Sequence, residues 1–96
     1  MDIEKTLKNL PNLPGVYIMK DDKEVLYIGK ASNIRKRVAS YFRRKGLSTR
    51  LEALVSKIKD ISYIPTQSEA EALIYEASLI KSTKPRYNVE LKDDKS

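Results

Sequence analysis

The fold of this chain is decided by residues 15–41, which read GVYIMKDDKEVLYIGKASNIRKRVASY. Two tyrosine motifs stand in this stretch, Gly-Val-Tyr at 15–17 and Tyr-Ile-Gly at 27–29. Apolar side chains alternate on both sides of an acidic turn, and this alternation predicts a β-hairpin with strands at 15–20 and 24–29.

The register of this hairpin decides whether its two phenols meet. A three-residue loop that pairs Lys20 with Glu24 sets Tyr17 directly opposite Tyr27, whereas a four-residue loop puts the phenols on opposite faces. Only the first register makes a shared site.

A helix follows the hairpin at once. Ser32 or Asn33 can cap it, and its apolar stripe extends to Phe42. Arg37 and Tyr41 are four residues apart, so they are neighbours on one flank of the helix. A hairpin that presents two phenols, leading into a helix that presents a guanidinium, suits the handling of a phosphodiester.

The rest of the chain supplies the other elements of a small α/β domain. The patterns predict a helix at 3–9, a helix at 49–59, a strand at 60–66, a helix from the capping box at 68–71 to about residue 81, and an extended tail at 86–96. We therefore expect a three-stranded antiparallel sheet flanked by helices.

Composition limits the chemistry that the chain can perform. The 96 residues suffice for a single domain, 1–96, and include neither Cys nor His, which excludes thiolate nucleophiles and imidazole acid–base catalysis. Any catalyst must use Tyr, Lys, Arg, Asp or Glu. No apolar run approaches the roughly 20 residues of a membrane span and no signal peptide is visible, so we expect a cytoplasmic protein.

Positive charge is concentrated after the hairpin. The net charge is +6, and no Asp or Glu occurs between residues 30 and 50. An isolated basic run is as often a solvated face as a binding surface, but beside the tyrosine motifs it favours a nucleic-acid interface. The residues that we expect to contact DNA are Arg35, Lys36, Arg43, Arg44, Lys45 and Arg50.

One acid in the last long helix stands among apolar residues. Projection of this helix at about 100° per residue surrounds Glu76 with an apolar arc. An unpaired buried carboxylate costs several kcal/mol, so Glu76 requires a cation, either a basic side chain or a metal ion, and periodicity does not choose between them. Glu69, Glu71 and Asp60 rank below it as metal ligands. The arc consists of Ala70, Ala72, Leu73, Ile74, Ala77, Leu79 and Ile80.

The order of these motifs resembles the GIY-YIG nuclease family. After the tyrosine motifs come Glu-Ala-Leu-Ile-Tyr-Glu at 71–76, Leu-Ile-Lys at 79–81, Lys-Pro-Arg-Tyr-Asn-Val at 84–89 and Leu-Lys-Asp-Asp-Lys-Ser at 91–96. Within the family this series is similar to the N-terminal endonuclease domain of UvrC-type proteins. The likeness continues to the last residue, so we expect the chain to be a piece of a longer protein of that type.

The resemblance implies a metal site and a general base. Glu76 would hold one divalent cation, Mg²⁺ with Mn²⁺ as a substitute, which decides the choice that periodicity leaves open. Tyr17 or Tyr27 would take a proton once Lys30 and the metal had lowered its pKa. Without the resemblance, both tyrosines would be read as half-buried strand aromatics.

The resemblance also implies how the remaining candidates act. Arg37 would pair with the phosphate and Tyr41 would hydrogen-bond at the same rim. Asn88 would support the site by hydrogen bonding, although Asn after an extended Pro segment is equally typical of a turn. The implied catalytic set is Tyr17, Tyr27, Lys30, Arg37, Tyr41 and Asn88.

The implied function is incision of damaged DNA on the 3′ side of a lesion during nucleotide excision repair, with UvrB handing over the DNA. We expect the isolated domain to be a monomer. Two alternatives stay open: a stand-alone or structure-specific GIY-YIG endonuclease, and a catalytically silent DNA-binding module. Retention of both tyrosines, the arginine and the glutamate favours an enzyme.

Overall fold

A computed structural model of the chain describes residues 2–43, 46 and 48–91, with the backbone alone at 89–91. The elements within these residues are α1 (Ile3–Lys8), β1 (Gly15–Lys20), β2 (Val25–Ala31), α2 (Ile34–Arg43), α3 (Thr49–Lys57), β3 (Asp60–Pro65), α4 (Glu69–Thr83) and α5 (Arg86–Leu91). None of these helices is both long enough and apolar enough to cross a membrane.

The strands form an antiparallel sheet in the order β2-β1-β3, which confirms the predicted fold class. Two apolar layers cover it. On one face Tyr17 and Met19 belong to the larger core, which includes residues of α1, α2 and α3. On the other face Val16 and Ile28 pack against Ala72 of α4. Because β2 lies at an edge of the sheet, its outer backbone groups are accessible to the C-terminal part of the chain.

The hairpin turn is longer than predicted. Lys20 pairs with Val25 and not with Glu24, so four residues form the loop. The Asp21 carboxylate accepts hydrogen bonds from the backbone N–H groups of Lys23 at 2.7 Å and Glu24 at 2.8 Å, and these contacts stabilise the turn.

A bulge corrects the consequence of the longer loop. The register shifts between Met19 and Lys20, so that Tyr27 lies opposite Met19 and Tyr17 lies opposite Gly29. The prediction that the two phenols are directly opposite is therefore wrong. Because one extra residue in β2 restores the alternation, both phenols still point to the same face of the sheet.

The buried face of α4 differs from the projected apolar arc. Ala72 is fully buried, whereas Leu73 is 50% exposed and Ile74 is 69% exposed. Ala70 and Ala77 are exposed too, so more than half of the predicted arc faces outward. The arc was too wide because α4 contacts the sheet along one stripe only, and Glu76 lies within that stripe.

The C-terminal segment is helical and not extended as predicted. Arg86–Leu91 forms α5, which begins directly after the buried Pro85. Tyr87 is 4% exposed and belongs to the larger core, so the burial of this aromatic ring outweighs the weak local preference of a polar tail. Residues 92–96 lie outside the described part of the chain.

Candidate active site

Three tyrosines meet on one face of the sheet. Tyr17 and Tyr27 come from the hairpin and Tyr41 from α2, with ring centroids 6.2 Å apart for the first two, 5.9 Å for Tyr17 and Tyr41, and 6.4 Å for Tyr27 and Tyr41. The hydroxyls of Tyr17 and Tyr41 are 2.8 Å apart and hydrogen-bonded. The structure therefore brings together all three phenols that the sequence predicts for the site.

The glycine of the second motif makes room for this cluster. A Cβ built at Gly29 would overlap the hydroxyl oxygen and Cζ of Tyr17. Tyr17 is only 1% exposed, so its ring has little space to move aside. The Tyr-Ile-Gly motif thus supplies a phenol and, two residues later, the space for the other phenol.

The two hairpin phenols are held in their neutral form. Burial raises the pKa of Tyr17 far above its ordinary 10.0, and the neighbouring Tyr41 and Tyr27 raise it further. Burial also raises the pKa of Tyr27, and Tyr41 and Glu76 add to the effect. Arg37 opposes both shifts more weakly. The expected lowering by Lys30 is therefore not seen among the residues present.

Lys30 is bound to α4 and not to the phenols in the described residues. Its ammonium lies 3.1 Å from Oε2 of Glu69, while its backbone N–H donates to Oε2 of Glu76 at 2.9 Å. This one residue of β2 is thus held at two points by acids two turns apart on α4.

Glu76 is the acid for which the sequence predicts a cationic partner. It is half-buried, close enough to Tyr27 to affect the pKa of that phenol, and its Oε2 is engaged by the Lys30 amide. No Lys or Arg of the described residues forms a salt bridge with it, and none of them donates a hydrogen bond to Oε1. A basic side chain is therefore not its partner in this part of the chain.

The donor set fits one hard divalent cation. The described residues hold no group of three or more metal-binding side chains, so a multi-carboxylate cage is excluded for them. Mg²⁺ does not need such a cage, because it usually keeps several waters and takes one or two carboxylates. The Glu76 carboxylate meets that requirement, because its Oε1 accepts no hydrogen bond from the described residues and its charge acts on Tyr27.

Arg37 lies at the rim of the tyrosine cluster. Its side chain is exposed on α2, and the pKa of its guanidinium is raised chiefly by the neighbouring Tyr17. It stays charged and is available to a phosphate oxygen. Tyr41, one turn further along α2, faces the same cluster, as the spacing predicts.

Asn88 binds the backbone of β2. Its Oδ1 accepts a hydrogen bond from the Ile28 N–H at 2.8 Å, and its Nδ2 donates to the Ile28 carbonyl at 2.8 Å. Ile28 stands between Tyr27 and Gly29, so the amide fixes the second motif from the open edge of the sheet. These contacts favour the supporting role over that of a turn residue.

A cleft of about 340 Å³ continues the site between the end of β2, α2 and the first turn of α4. Three cations and two hydroxyls line it together with one acid, and that acid pairs with one of the cations. These lining residues are Lys30, Ser32, Lys36, Arg37, Ser40 and Glu69.

The predicted DNA-contacting residues fall into different places. Lys36 is exposed at the cleft, and Arg50 is exposed on α3. Arg43 forms an exposed ion pair with Glu4 at 3.2 Å, which leaves it close to solvent. Arg35 is engaged elsewhere, because its guanidinium donates to the carbonyls of Lys8 and Leu10, both at 2.8 Å. Arg44 and Lys45 lie outside the described residues.

Sequence reasoning missed the contact of Glu69 with Lys30 and ranked Glu69 only as a metal ligand below Glu76. The signal was its spacing of seven residues from Glu76, which places both acids on one face of a helix. Glu71 is occupied as expected at the helix start, although its carboxylate accepts from the Gln67 N–H and not from that of Ser68.

Comparison with known proteins identifies the family. The model of the UvrC-like GIY-YIG domain matches residues 13–89. The chain belongs to this family. The UvrABC system protein C of Clostridium acetobutylicum is 55% identical over 96 residues, covering 98% of this chain and 15% of that protein. The corresponding protein of Moorella thermoacetica is 54% identical over 97 residues, covering 100% of this chain and 16% of that protein. The chain thus spans about a sixth of the relatives' length.

Solved structures agree with this family assignment. The GIY-YIG N-terminal endonuclease domain of UvrC from Thermotoga maritima, bound to its catalytic divalent cation magnesium, superposes with a TM-score of 0.79 at 35% identity. The match covers 90% of this chain and 94% of that domain. Point mutants of the same domain, one Asn to Ala and three Tyr to Phe, are also similar, each bound to the catalytic divalent cation.

Proposed function

We propose that this UvrC-like GIY-YIG domain is a DNA endonuclease that depends on one divalent cation held by Glu76. The observation that carries the proposal is the half-buried Glu76 carboxylate, which has a free oxygen beside Tyr27 and no basic partner among the described residues. A module that only binds DNA needs a basic surface and gains nothing from such a carboxylate.

The family gives the biological setting of the proposed reaction. We infer incision on the 3′ side of a lesion in nucleotide excision repair, in the cytoplasm, as part of a longer UvrC-type protein that receives damaged DNA from UvrB. The magnesium bound to the related domain of Thermotoga maritima supports Mg²⁺ as the cofactor, and Mn²⁺ is expected to substitute. The excision-repair relatives make a stand-alone incision enzyme the lesser candidate.

The chain's own residues divide the work of phosphodiester hydrolysis. Arg37 binds and neutralises a non-bridging phosphate oxygen. Tyr27 is the better general base, because it is only half-buried and a cation held by the nearby Glu76 would offset the rise in its pKa. Tyr17 is nearly inaccessible and hydrogen-bonded to Tyr41. Tyr17 and Tyr41 therefore orient the reacting groups. When bound, the cation polarises the phosphate and lowers the pKa of nearby acids.

Replacement of the proposed metal ligand tests the assignment. We expect Glu76→Ala to abolish nicking of damaged DNA in the presence of UvrB and Mg²⁺, while DNA affinity changes less than about twofold, because the basic face supplies binding. Cleavage gels and fluorescence anisotropy measure the two effects. A parallel loss of binding and thermal stability would mean that Glu76 is structural, and retained cleavage would exclude it as the metal ligand.

A further inference from the structure

The face of α4 that packs on the sheet carries two acids that contact the same lysine. Glu76 accepts from the Lys30 backbone N–H at 2.9 Å, and Glu69 contacts the Lys30 ammonium at 3.1 Å. The two acids are seven residues apart, so they lie about two helical turns from one another on one face. The Lys30 side chain consequently runs along α4 towards its N-terminal end.

This arrangement separates a cation from the carboxylate that would otherwise attract it. The flexible four-carbon stem of Lys30 starts at the residue whose amide already touches Glu76. Without a partner, the ammonium would sample positions closer to the free oxygen of Glu76. An ammonium there would neutralise the carboxylate and compete with a divalent cation for it.

We propose that Glu69 is a positioning residue that holds the Lys30 ammonium away from Glu76 and so keeps the Glu76 carboxylate open to a divalent cation. The inference rests on the proposed metal site at Glu76. It concerns a residue that needs to touch neither the metal nor the scissile phosphate. Glu69 acts through Lys30 alone.

The position of the ion pair links it to the substrate as well. The Lys30 and Glu69 side chains are 33% and 53% exposed, so solvent screens their attraction and a phosphate can replace the carboxylate. Both line the cleft together with Lys36 and Arg37. When a DNA phosphate enters the cleft, Lys30 can exchange Glu69 for the phosphate, still without occupying Glu76.

A double-mutant cycle on metal affinity tests the inference. We would measure Mn²⁺ binding to the chain by isothermal titration calorimetry for the wild type, Glu69→Gln, Lys30→Gln and the double variant. We expect Glu69→Gln to weaken Mn²⁺ binding about threefold to fivefold, because the released ammonium approaches Glu76 and an exposed ion pair contributes no more than this. Lys30→Gln should change the affinity little in the wild type but restore it in the Glu69→Gln background.

Non-additivity is the decisive feature of this cycle, because the effect of a distant charge alone is additive. Glu71→Gln is the matched control: it removes the same charge from the first turn of α4, and Glu71 contacts the Gln67 amide, not Lys30. We expect it to weaken Mn²⁺ binding less than about twofold. Thermal unfolding confirms that each variant is folded.

Two results would overturn the inference, and they differ from failure of the proposed function. Additive effects of Glu69→Gln and Lys30→Gln, or equal effects of Glu69→Gln and Glu71→Gln, would show that Glu69 does not position Lys30. Unchanged Mn²⁺ affinity in Glu76→Ala would refute the metal site, and with it both proposals. Loss of binding in Glu76→Ala together with an additive cycle would refute only the role of Glu69.

Discussion

Asn88 offers a quantitative test of how the second tyrosine motif is held. The replacement Asn88→Ala removes two hydrogen bonds of 2.8 Å to Ile28 and leaves an N–H and a carbonyl of β2 without these partners. Each bond contributes about 1 kcal/mol net, and loss of partners for half-buried groups adds to this, so we expect a destabilisation of about 2–3 kcal/mol. For a domain of this size that corresponds to a fall in Tm of roughly 10–20 °C.

Calorimetry and circular dichroism measure the effect of Asn88→Ala directly. The control is Asn12→Ala, since Asn12 is exposed and makes no hydrogen bond that the described residues show; its Tm should change by less than about 2 °C. Asn88→Asp should be about as harmful as Asn88→Ala, because a carboxylate oxygen would face the Ile28 carbonyl in place of the amide donor. A Tm for Asn88→Ala within about 3 °C of the wild type would refute the reasoning.

Three further perturbations address the tyrosine cluster and the cleft. Gly29→Ala should lower Tm and reduce cleavage about tenfold or more, because its Cβ would overlap the buried Tyr17 ring. A Tm equal to that of the wild type would show that Tyr17 moves aside freely. Burial raises the folded-state pKa of Tyr17, so the unfolding free energy should fall above about pH 10, where the unfolded phenol ionises. Tyr17→Phe should remove about 1.4 kcal/mol per pH unit from that slope. An unchanged slope in urea titrations at several pH values would contradict this. Lys36→Gln should reduce the salt dependence of DNA binding by about one counterion. Lys81→Gln is the control and should not change it, because Lys81 is exposed on the side of α4 opposite the buried Ala72 and does not line the cleft. Equal salt slopes for the two variants would remove the cleft from the interface.

The hairpin could be predicted because its signals are local. Alternating side chains and an acidic turn define the two strands. Likewise, Ser68 of the predicted capping box begins α4 as expected. The bulge that brings Tyr27 to the same face as Tyr17 could not be read from the sequence, because it depends on how the longer turn and the core fit together.

The errors at the C-terminal end have a tertiary cause. The apolar residues of α4 occupy more than one face, so periodicity does not identify the stripe that contacts the sheet. The polar residues after Pro85 have little helical signal, yet burial of Tyr87 and the contacts of Asn88 with β2 fix a helix there. The buried stripe of α4 and the formation of α5 are thus both fixed by contacts with residues that are distant in the chain.

The residues of the candidate site could be predicted from the sequence more readily than their contacts. The sequence predicts Tyr17, Tyr27, Arg37 and Glu76 as chemically suitable. The structure places Arg37 near Tyr17 and Tyr27, and Glu76 near Tyr27. The orientation of Lys30 was not predictable, because it is decided by Glu69, thirty-nine residues away in the chain. Whether a tyrosine is ionised likewise depends on burial that only the packed fold reveals.

The most direct test of the metal-site proposal is a crystal of the chain soaked in Mn²⁺, with the anomalous signal used to locate the ion. We expect a peak bound to the Glu76 carboxylate, facing Tyr27 and Arg37, while Lys30 remains paired with Glu69. A map without an ion at Glu76, in which a basic side chain pairs with that carboxylate, would contradict the proposed metal-dependent nuclease site.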